Sequence, residues 1–333
     1  MSNVGSIFSG IGGLDYGLEL AGHRVRWQCE NDKFRRALLN ERFRGVRCFH
    51  DVREITRRTP CVDILAGGFP CQDLSVGGRR AGFSGQRSSL FFEFARVAEI
   101  LTPKWILIEN VPGFISSQDG RDFGLALGTL AELGYGVAWR ILDSRYFGVP
   151  QRRRRLFLLG NFTEGDTRAA ARRAAQVLSV GSRCERHPPS RRAPSENVAN
   201  TVAGRPAGGG RNTDIDGSSY FVEDFENGTL TGGMGRVDRR PLLTGKAASV
   251  RRLMPIECER LQGFPDNWTQ LEKTPDSRRY SGLGDAVTVN VANWIGRRLV
   301  FQQRRSEETW EPDQPIQAKA KLRRKIRAKA KLK

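Results

Sequence analysis

Four consecutive large apolar residues, Trp105-Ile106-Leu107-Ile108, constrain this chain most. A half-exposed strand would alternate apolar and polar. A short continuous run suits a strand covered on both faces, as in a parallel sheet sandwiched between helices. Val62 to Ala66 and Leu156 to Leu159 read the same way. Such sheets bind ligands beyond the carboxyl ends of their strands, so the residues after each run carry the functional information. The run at 105–108 delivers Glu109-Asn110-Val111. A carboxylate leaving a buried strand is costly unless it is used, which favours a chemical role over a structural one. The run at 62–66 passes through Gly67-Gly68 and Pro70 to Cys71 and Gln72. A tight turn and a stiff proline thus place a thiol on a loop at a strand's end, where an α/β enzyme holds a nucleophile. From that stretch alone, a cysteine that merely fills space is an equal reading.

Val4 to Phe8 forms a first strand, Ser9-Gly10-Ile11-Gly12-Gly13 follows, and Leu14, Leu18 and Ala21 line a helix that Gly22 stops. Strand, glycine turn and helix form a nucleotide-cofactor signature, because glycine lets backbone approach a ligand closely. The dinucleotide version has a third glycine where this chain has Asp15, which disfavours a nicotinamide or flavin cofactor. Alternation from His23 to Cys29 gives a second strand ending at Glu30, twenty residues beyond Gly10. An acid there can accept from ribose hydroxyls. The competing reading is a surface Glu that caps the helix Asp32 to Asn40. Asp51-Val52 ends a further short strand and offers an acceptor to an adenine amino group.

Residues 73–87 carry glycines and arginines without periodicity and read as a lid that meets phosphates. A helix follows from Ser88 or Ser89 to Pro103, with Leu90, Phe91 and Phe94 inward. A helix at Phe123 to Leu133 and a strand at Gly136 to Leu142 precede the run Gln151-Arg152-Arg153-Arg154-Arg155. Alternation sends Arg153 and Arg155 to one side and leaves Arg152 and Arg154 to solvent. From Asn161 to about Val250 the chain is rich in Gly, Ser, Thr, Asn, Pro and Arg, with one short Ala/Arg helix near Thr167 to Val180. This reads as a loop-rich module with basic tips, suited to groove reading. A disordered linker is the alternative, but Tyr220, Phe221, Phe225 and Leu230 argue for a small core. Regular structure resumes with a helix begun by Pro255 and stopped by Gly263. A glycine turn at Gly282-Leu283-Gly284-Asp285-Ala286-Val287 then leads to a final helix with Val291, Trp294, Ile295 and Leu299.

The 333 residues allow one large domain and a smaller one. The formal net charge is +19, with arginine spread along the chain, which implies a polyanionic partner, most simply nucleic acid. Ile316 to Lys333 holds nine Lys/Arg and no acid. Set off by Pro312 and Pro315, it is expected to be disordered and to add sequence-independent DNA affinity. The cysteines (Cys29, Cys48, Cys61, Cys71, Cys184 and Cys258) form no C-x-x-C pair, so neither a zinc site nor a disulfide framework is indicated. No apolar run approaches the ~20 residues of a membrane span, and no signal pattern opens the chain. A cytoplasmic location is expected.

In order, these motifs resemble those of the DNA cytosine-5 methyltransferases of bacteria and their phages, over about Val4 to Leu299. Phe8-Ser9-Gly10-x-Gly12-Gly13 is similar to the family's cofactor turn and Pro70-Cys71-Gln72 to its catalytic motif. Glu109-Asn110-Val111 and Gln151-x-Arg153-x-Arg155 match two further motifs. Arg260-Leu261-Gln262-Gly263-Phe264-Pro265 is similar to the start of the segment that supports the recognition domain, and Gly284-Asp285-Ala286-Val287 to the last cofactor motif. Asp285 stands where the family usually has Asn. Asn31 stands where some relatives carry an aromatic that stacks on adenine.

The resemblance implies an α/β fold: a Rossmann-like S-adenosylmethionine-dependent methyltransferase domain with a mostly parallel sheet, plus a smaller loop-rich target-recognition domain. The first would span 1–160, completed by 277–303, the second 161–276, and a basic tail 304–333. S-adenosyl-L-methionine is the implied cofactor, held by Phe8, Ser9, Gly10, Gly12, Gly13, Glu30, Asn31, Asp51, Val52, Pro70, Leu90, Asp285 and Ala286. Double-stranded DNA is the implied partner, met by Gln72, Ser75, Arg79, Arg87, Arg205 and Arg236. No metal is expected, a monomer is, and the family leaves room for a cognate restriction endonuclease acting on the same site, in a bacterial cell or from a phage. Catalysis falls to Cys71, Glu109, Arg153 and Arg155. Cys71 adds to carbon 6 of an extruded cytosine. Glu109 hydrogen-bonds its ring nitrogen 3 and amino group, Arg155 anchors the surroundings of Cys71 and the base's carbonyl, and Arg153 acts beside it. Two other readings stand: an RNA cytosine-5 methyltransferase on the same fold, and a catalytically silent DNA-binding regulator.

Overall fold

The computed structural model describes residues 1–69, 89–180, 220–223 and 249–308. By contacts the chain divides into Met1–Val300 and Phe301–Lys333. The sheet of the first unit has seven strands: β1 (Asn3–Ile7), β2 (Arg24–Cys29), β3 (Arg47–Phe49), β4 (Ile64–Gly67), β5 (Trp105–Asn110), β6 (Tyr135–Asp143) and β7 (Arg154–Phe162). Their order is β3-β2-β1-β4-β5-β7-β6. The first five are parallel, as expected for doubly covered strands. β7 runs antiparallel to both β5 and β6.

Eight helices accompany the sheet among the described residues: α1 (Gly13–Leu20), α2 (Lys33–Arg42), α3 (Ser89–Leu101), α4 (Arg121–Glu132), α5 (Thr167–Leu178), α6 (Pro255–Gln262), α7 (Asp276–Asp285) and α8 (Val289–Glu308). Every residue of β5 is buried, which explains its unbroken apolar run. Its period of two divides the core. Ile106 and Ile108 pack with Phe91, Phe94, Phe123 and Ala126 of α3 and α4. Trp105 and Leu107 pack on the other side with Leu14 and Leu18 of α1, Ala174 and Val177 of α5, and Ile295 and Leu299 of α8. Each fully buried Leu, Ile or Phe contributes roughly 1.5–3 kcal/mol. A third cluster joins Ile11, Leu38, Leu39 and Phe43 to Leu261, Phe264, Trp268 and Leu283.

Three expectations change. The helix at 167–178, assigned above to the recognition domain, packs on the main sheet. Its Ala170, Ala174, Val177 and Leu178 are buried, and a Cβ on Gly136 of β6 would lie 2.3 Å from the Thr167 carbonyl oxygen. Small residues on both sides permit that approach. The stretch from Leu253 through α6 to Trp268 likewise packs on α2 rather than standing apart. The expected glycine turn at 282–287 is the end of α7, and only Ala286, Val287 and Thr288 connect it to α8. Gly282 is there for clearance, not for turning: its Cβ would lie 2.7 Å from Ile11 Cγ2. Of the remaining recognition region, β8 (Tyr220–Glu223) and β9 (Ser249–Arg252) are described, and they pair antiparallel. Among the described residues no helix is long and apolar enough to cross a membrane, and no cluster of His, Cys, Asp and Glu suits a metal ion.

A buried polar network lies under the first turn. Asp15 is fully buried and accepts from Gln28 Nε2 at 2.9 Å and Ser6 Oγ at 3.2 Å, while Ser9 Oγ donates to Ser6 Oγ at 2.9 Å. Where a dinucleotide fold would have glycine, this chain uses a carboxylate to knit β1, α1 and β2 together. Burial pushes the Asp15 carboxyl up to about 6, against the opposing hydrogen bonds from Gln28 and Ser6.

Two outcomes follow from this packing. A Cβ on Gly17 of α1 would lie 2.4 Å from Ala292 Cβ and 2.7 Å from the Val289 carbonyl oxygen of α8. Gly17→Val is therefore expected to destabilise the fold by about 2–3 kcal/mol, read in urea unfolding; an unchanged midpoint would show that α1 and α8 have room to spare. For Asp15, the folded chain keeps its proton and the unfolded chain loses it between pH 3.8 and about 6. Stability present below that window is lost as the pH rises through it, to a total of roughly 3 kcal/mol. Asp15→Asn cannot ionise, so its stability relative to the parent should improve by roughly 2–3 kcal/mol from about pH 4 to about pH 7. A difference that stays constant with pH would contradict this.

Candidate active site

Parallel pairing brings the carboxyl ends of β1 to β5 to one edge, and β7, being antiparallel, begins there. That edge collects the turn Phe8–Gly13, Glu30, Asp51, Gly68-Phe69, Glu109-Asn110, and Arg153 with Arg155. Strand order reverses between β1 and its neighbours β2 and β4, the place where open α/β sheets form a ligand crevice.

On one side of the edge lies the glycine turn. Phe8, Gly10 and Gly12 have φ of 57°, 59° and 86°. For Phe8 the left-handed backbone costs roughly 1–2 kcal/mol. The space above Gly10 is open, since a Cβ there would meet nothing within 4 Å. Gly13 is tight, its Cβ only 2.4 Å from the Val287 carbonyl oxygen. The surface reading of Glu30 falls away: it is 6% exposed, accepting from Gly10 N–H at 2.8 Å and from Asp32 N–H at 2.9 Å. Ser9 is buried and its N–H donates to the Cys29 carbonyl. Asn31 is exposed, and its carbonyl accepts from Arg36. Asp51 caps the short helix Val52–Glu54, and its hydrogen bonds with Arg53 hold its carboxyl down at about 2. Val52 is buried, and Leu90 packs beside it against the same core.

On the other side sits Glu109, 8% exposed. It shares a face with Trp105 and Leu107, as Arg155 does with Phe157 and Leu159. The pairing of Glu109 with Phe157 puts Arg155 one diagonal step away. Arg155 Nε lies 3.3 Å from Glu109 Oε1. Burial raises the Glu109 pKa, while Arg155 and Arg153 draw it back down. The turn after β4 leans on this carboxylate: a Cβ on Gly68 would lie 2.9 Å from Glu109 Oε2. Asn110 Nδ2 donates to the Phe69 carbonyl at 3.2 Å, so the neighbour of Glu109 holds the chain where it departs toward Cys71.

Arg153 lies near Arg155 and also holds backbone. It is 2% exposed, and its Nη2 donates to the carbonyls of Gly284 and Ala286 at 2.8 Å each. It grips the backbone on both sides of Asp285. Ser144 Oγ accepts from the Arg153 N–H at 3.1 Å and fixes its start. The Asp285 side chain pairs with Arg35 of α2, a residue the sequence did not single out. The signal for it was the acid at 285, which calls for a cation. Trp268 was missed too; its indole N–H donates to the Ile11 carbonyl at 2.9 Å, bracing the glycine turn.

Pro70, Cys71, Gln72, Ser75, Arg79, Arg87, Arg205 and Arg236 lie outside the described residues. Among the described cysteines, burial pushes the thiols of Cys29, Cys48 and Cys258 up to about 12, 11 and 12, too high for a thiolate at neutral pH. Cys61 is exposed but precedes β4, a strand's length, roughly 13 Å, from the edge that holds Glu109.

A family model for C-5 cytosine-specific DNA methylases matches residues 2–300. The chain is 32% identical over 319 residues to the Type II methyltransferase M2.BsuMI of Bacillus subtilis, covering 89% of this chain and 75% of that protein. It is 28% identical over 315 residues to the Type II methyltransferase M.HhaI of Haemophilus parahaemolyticus, covering 88% and 92%. In fold it is similar to the Dnmt2 methyltransferase of S. pombe, with a TM-score of 0.62 at 18% identity over 93% of this chain and 100% of that one. The DNMT2 of Spodoptera frugiperda gives 0.63 at 15% identity over 91% and 100%. The chain belongs to the family of C-5 cytosine-specific DNA methylases and is an enzyme of the restriction-modification type.

Proposed function

We propose that this enzyme methylates carbon 5 of a cytosine extruded from duplex DNA, with Cys71 as nucleophile and S-adenosylmethionine as donor. The observation that carries the reading is Glu109: a buried carboxylate at the end of β5, paired with Arg155, against which the strand leading to Cys71 is packed. The open space above Gly10 beside the buried Glu30 suits a nucleoside with ribose hydroxyls. Phe8 to Gly13, Glu30 and the segment Asp285-Ala286 would hold S-adenosylmethionine, which when bound supplies an electrophilic methyl group. Asp51, committed to Arg53, is a weaker candidate for the adenine end.

Cytosine carbon 5 is a poor nucleophile until a thiolate adds at carbon 6. A free thiol has a pKa of about 8.5, so Cys71 needs positive potential or loss of its proton on attack. Arg155, beside Glu109 at this edge, is the cation placed to supply that potential. Addition at carbon 6 drives negative charge toward ring nitrogen 3. Glu109 hydrogen-bonds ring nitrogen 3 and the amino group, and burial, by raising its pKa, favours the protonated form that nitrogen 3 needs. Arg155 orients Glu109 and reaches the base's carbonyl oxygen. Loss of the carbon 5 proton then releases Cys71. The ring faces are closed inside a duplex, so the cytosine leaves the stack at a cost of a few kcal/mol. Residues 73–87, with Arg79 and Arg87, would close over it. The region from about 180 to 248, with Arg205 and Arg236, would read flanking bases. The setting is the bacterial cytoplasm, from a host or a phage genome, in a restriction-modification or a phage anti-restriction role, the first of which leaves room for an endonuclease acting on the same site.

Three outcomes test this. Cys71→Ser should lower methyl transfer by at least about a thousandfold while duplex binding persists; substantial turnover would remove Cys71 from its role. Glu109→Gln should slow turnover roughly a hundredfold or more with little change in cofactor affinity. If cofactor affinity alone responds, Glu109 belongs to the other half of the site. A duplex carrying 5-fluorocytosine at the target, found by bisulfite sequencing, should trap a covalent adduct on Cys71 when the donor is present. Methyl transfer to transfer RNA but not to duplex would overturn the choice of substrate.

A further inference from the structure

We propose that Arg35 and Asp285 form a clasp that positions the cofactor site, tying the end of α7 to the start of α2 and thereby setting cofactor affinity. The proposal rests on the cofactor reading above and names two positioning residues for it. The pair joins Arg35 Nη2 to Asp285 Oδ2. Each charge alone is badly placed. Asp285 ends α7, where the carbonyl end of the helix dipole repels an acid, and Arg35 lies in the first turn of α2, where the amide end repels a cation. Facing each other, the two charges cancel both penalties. Asn at 285 would serve the helix end better, and the resemblance leads one to expect it; an Asp gains only through its partner.

The pair is also the outer end of a continuous chain of bonds to the glycine turn. Arg35 N–H donates to Asp32 Oδ1 at 2.9 Å, Asp32 N–H donates to Glu30 Oε1 at 2.9 Å, and Gly10 N–H donates to Glu30 Oε2 at 2.8 Å. Arg278 of α7 braces the same Asp32 at 3.5 Å. From the inner side Arg153 holds the Gly284 and Ala286 carbonyls, and the Val287 carbonyl backs directly onto Gly13. The segment 284–287 is thus gripped by two arginines from opposite sides, one rooted in the catalytic edge and one in the wall that carries Glu30. Releasing the outer grip loosens one wall of the cofactor crevice, and because the Asp285 charge also reaches Glu109, Arg35→Ala reads the clasp more cleanly than Asp285→Asn. The Arg35 side chain is 22% exposed and that of Asp285 56%, so solvent screens the pair and its effect is modest.

The test is calorimetric titration of the full chain with S-adenosylmethionine. The variants are Arg35→Ala, Arg35→Lys, Asp285→Asn, Arg35→Ala with Asp285→Ala, and the charge swap Arg35→Asp with Asp285→Arg. Thermal melts confirm that each variant is folded. Arg35→Ala and Asp285→Asn should each weaken binding roughly three- to fivefold. The double Ala variant should be no weaker than the worse single one. Arg35→Lys and the charge swap should recover part of the loss. Raising salt to about 0.5 M should narrow the gap between parent and variants. In steady state the KM for the donor should rise by a larger factor than kcat falls. Additive losses in the double variant, or single variants that bind as tightly as the parent, would overturn the clasp. A parent chain that binds no S-adenosylmethionine would bring down the cofactor reading as well, and so separates the two failures.

Discussion

The ion pair between buried Glu109 and half-buried Arg155 is the contact on which the rest of this enzyme turns. A carboxylate 8% exposed at the end of an all-buried strand is expensive to keep. Its cost is offset because β7 enters the sheet antiparallel beside β5 and starts at the same edge. Removing Arg155 would leave the Glu109 charge buried without its partner, which is destabilising. Glu109 and Arg155 therefore stabilise the edge jointly, and the proposed chemistry draws on the same pair. The two requirements share one cause: burial raises the Glu109 pKa while Arg155 and Arg153 draw it back down.

The walls of the crevice are held by close approach more than by area. Gly68 lets the turn after β4 rest on Glu109, Gly13 admits the Val287 carbonyl, and Gly282 admits Ile11. Each contact places backbone where a side chain would otherwise stand, and backbone is the stiffest material the chain has. Arg153 and Arg42 work in the same way, since both spend their guanidinium groups on carbonyls. Arg42 donates to Asn267, Trp268 and Gln270, clamping the turn after α6 to α2. Trp268 passes that restraint to Ile11, next to Gly10. The segment similar to the family's recognition-domain support is therefore mechanically continuous with the cofactor turn.

Most elements were legible in the sequence because their signals are local. Continuous apolar runs identified β4, β5 and β7. Strict alternation found β2. Pro255 and Gly263 bracketed α6, and the glycine at 263 has a φ of 78°. Where reading failed, the competing cause was tertiary. Gly282 and Gly284 resembled a turn, but they lie in a helix, and at Gly282 the packing against Ile11 demands a small residue. The Ala/Arg helix at 167–178 resembled part of a polar insert because alanine contributes little hydrophobic signal, yet small alanines are what let it sit on Gly136. Arg35 was passed over because nothing within its own helix marks it; its one signal, the acid at 285, lies 250 residues away.

By itself the sequence named the candidates for chemistry: Glu109 after the run at 105–108, the glycine turn, Glu30, the alternating Arg153 and Arg155, and Cys71, which lies outside the described residues. Local periodicity and turn chemistry were enough, since both are written in consecutive residues. Only the tertiary structure decided how those groups are divided. It placed β7 antiparallel, so that Arg155 meets Glu109 and Arg153 instead holds the backbone around Asp285. It also paired Asp285 with Arg35 across 250 residues. Strand direction and long-range charge pairing depend on how the chain returns to the sheet, and no window of neighbouring residues encodes that.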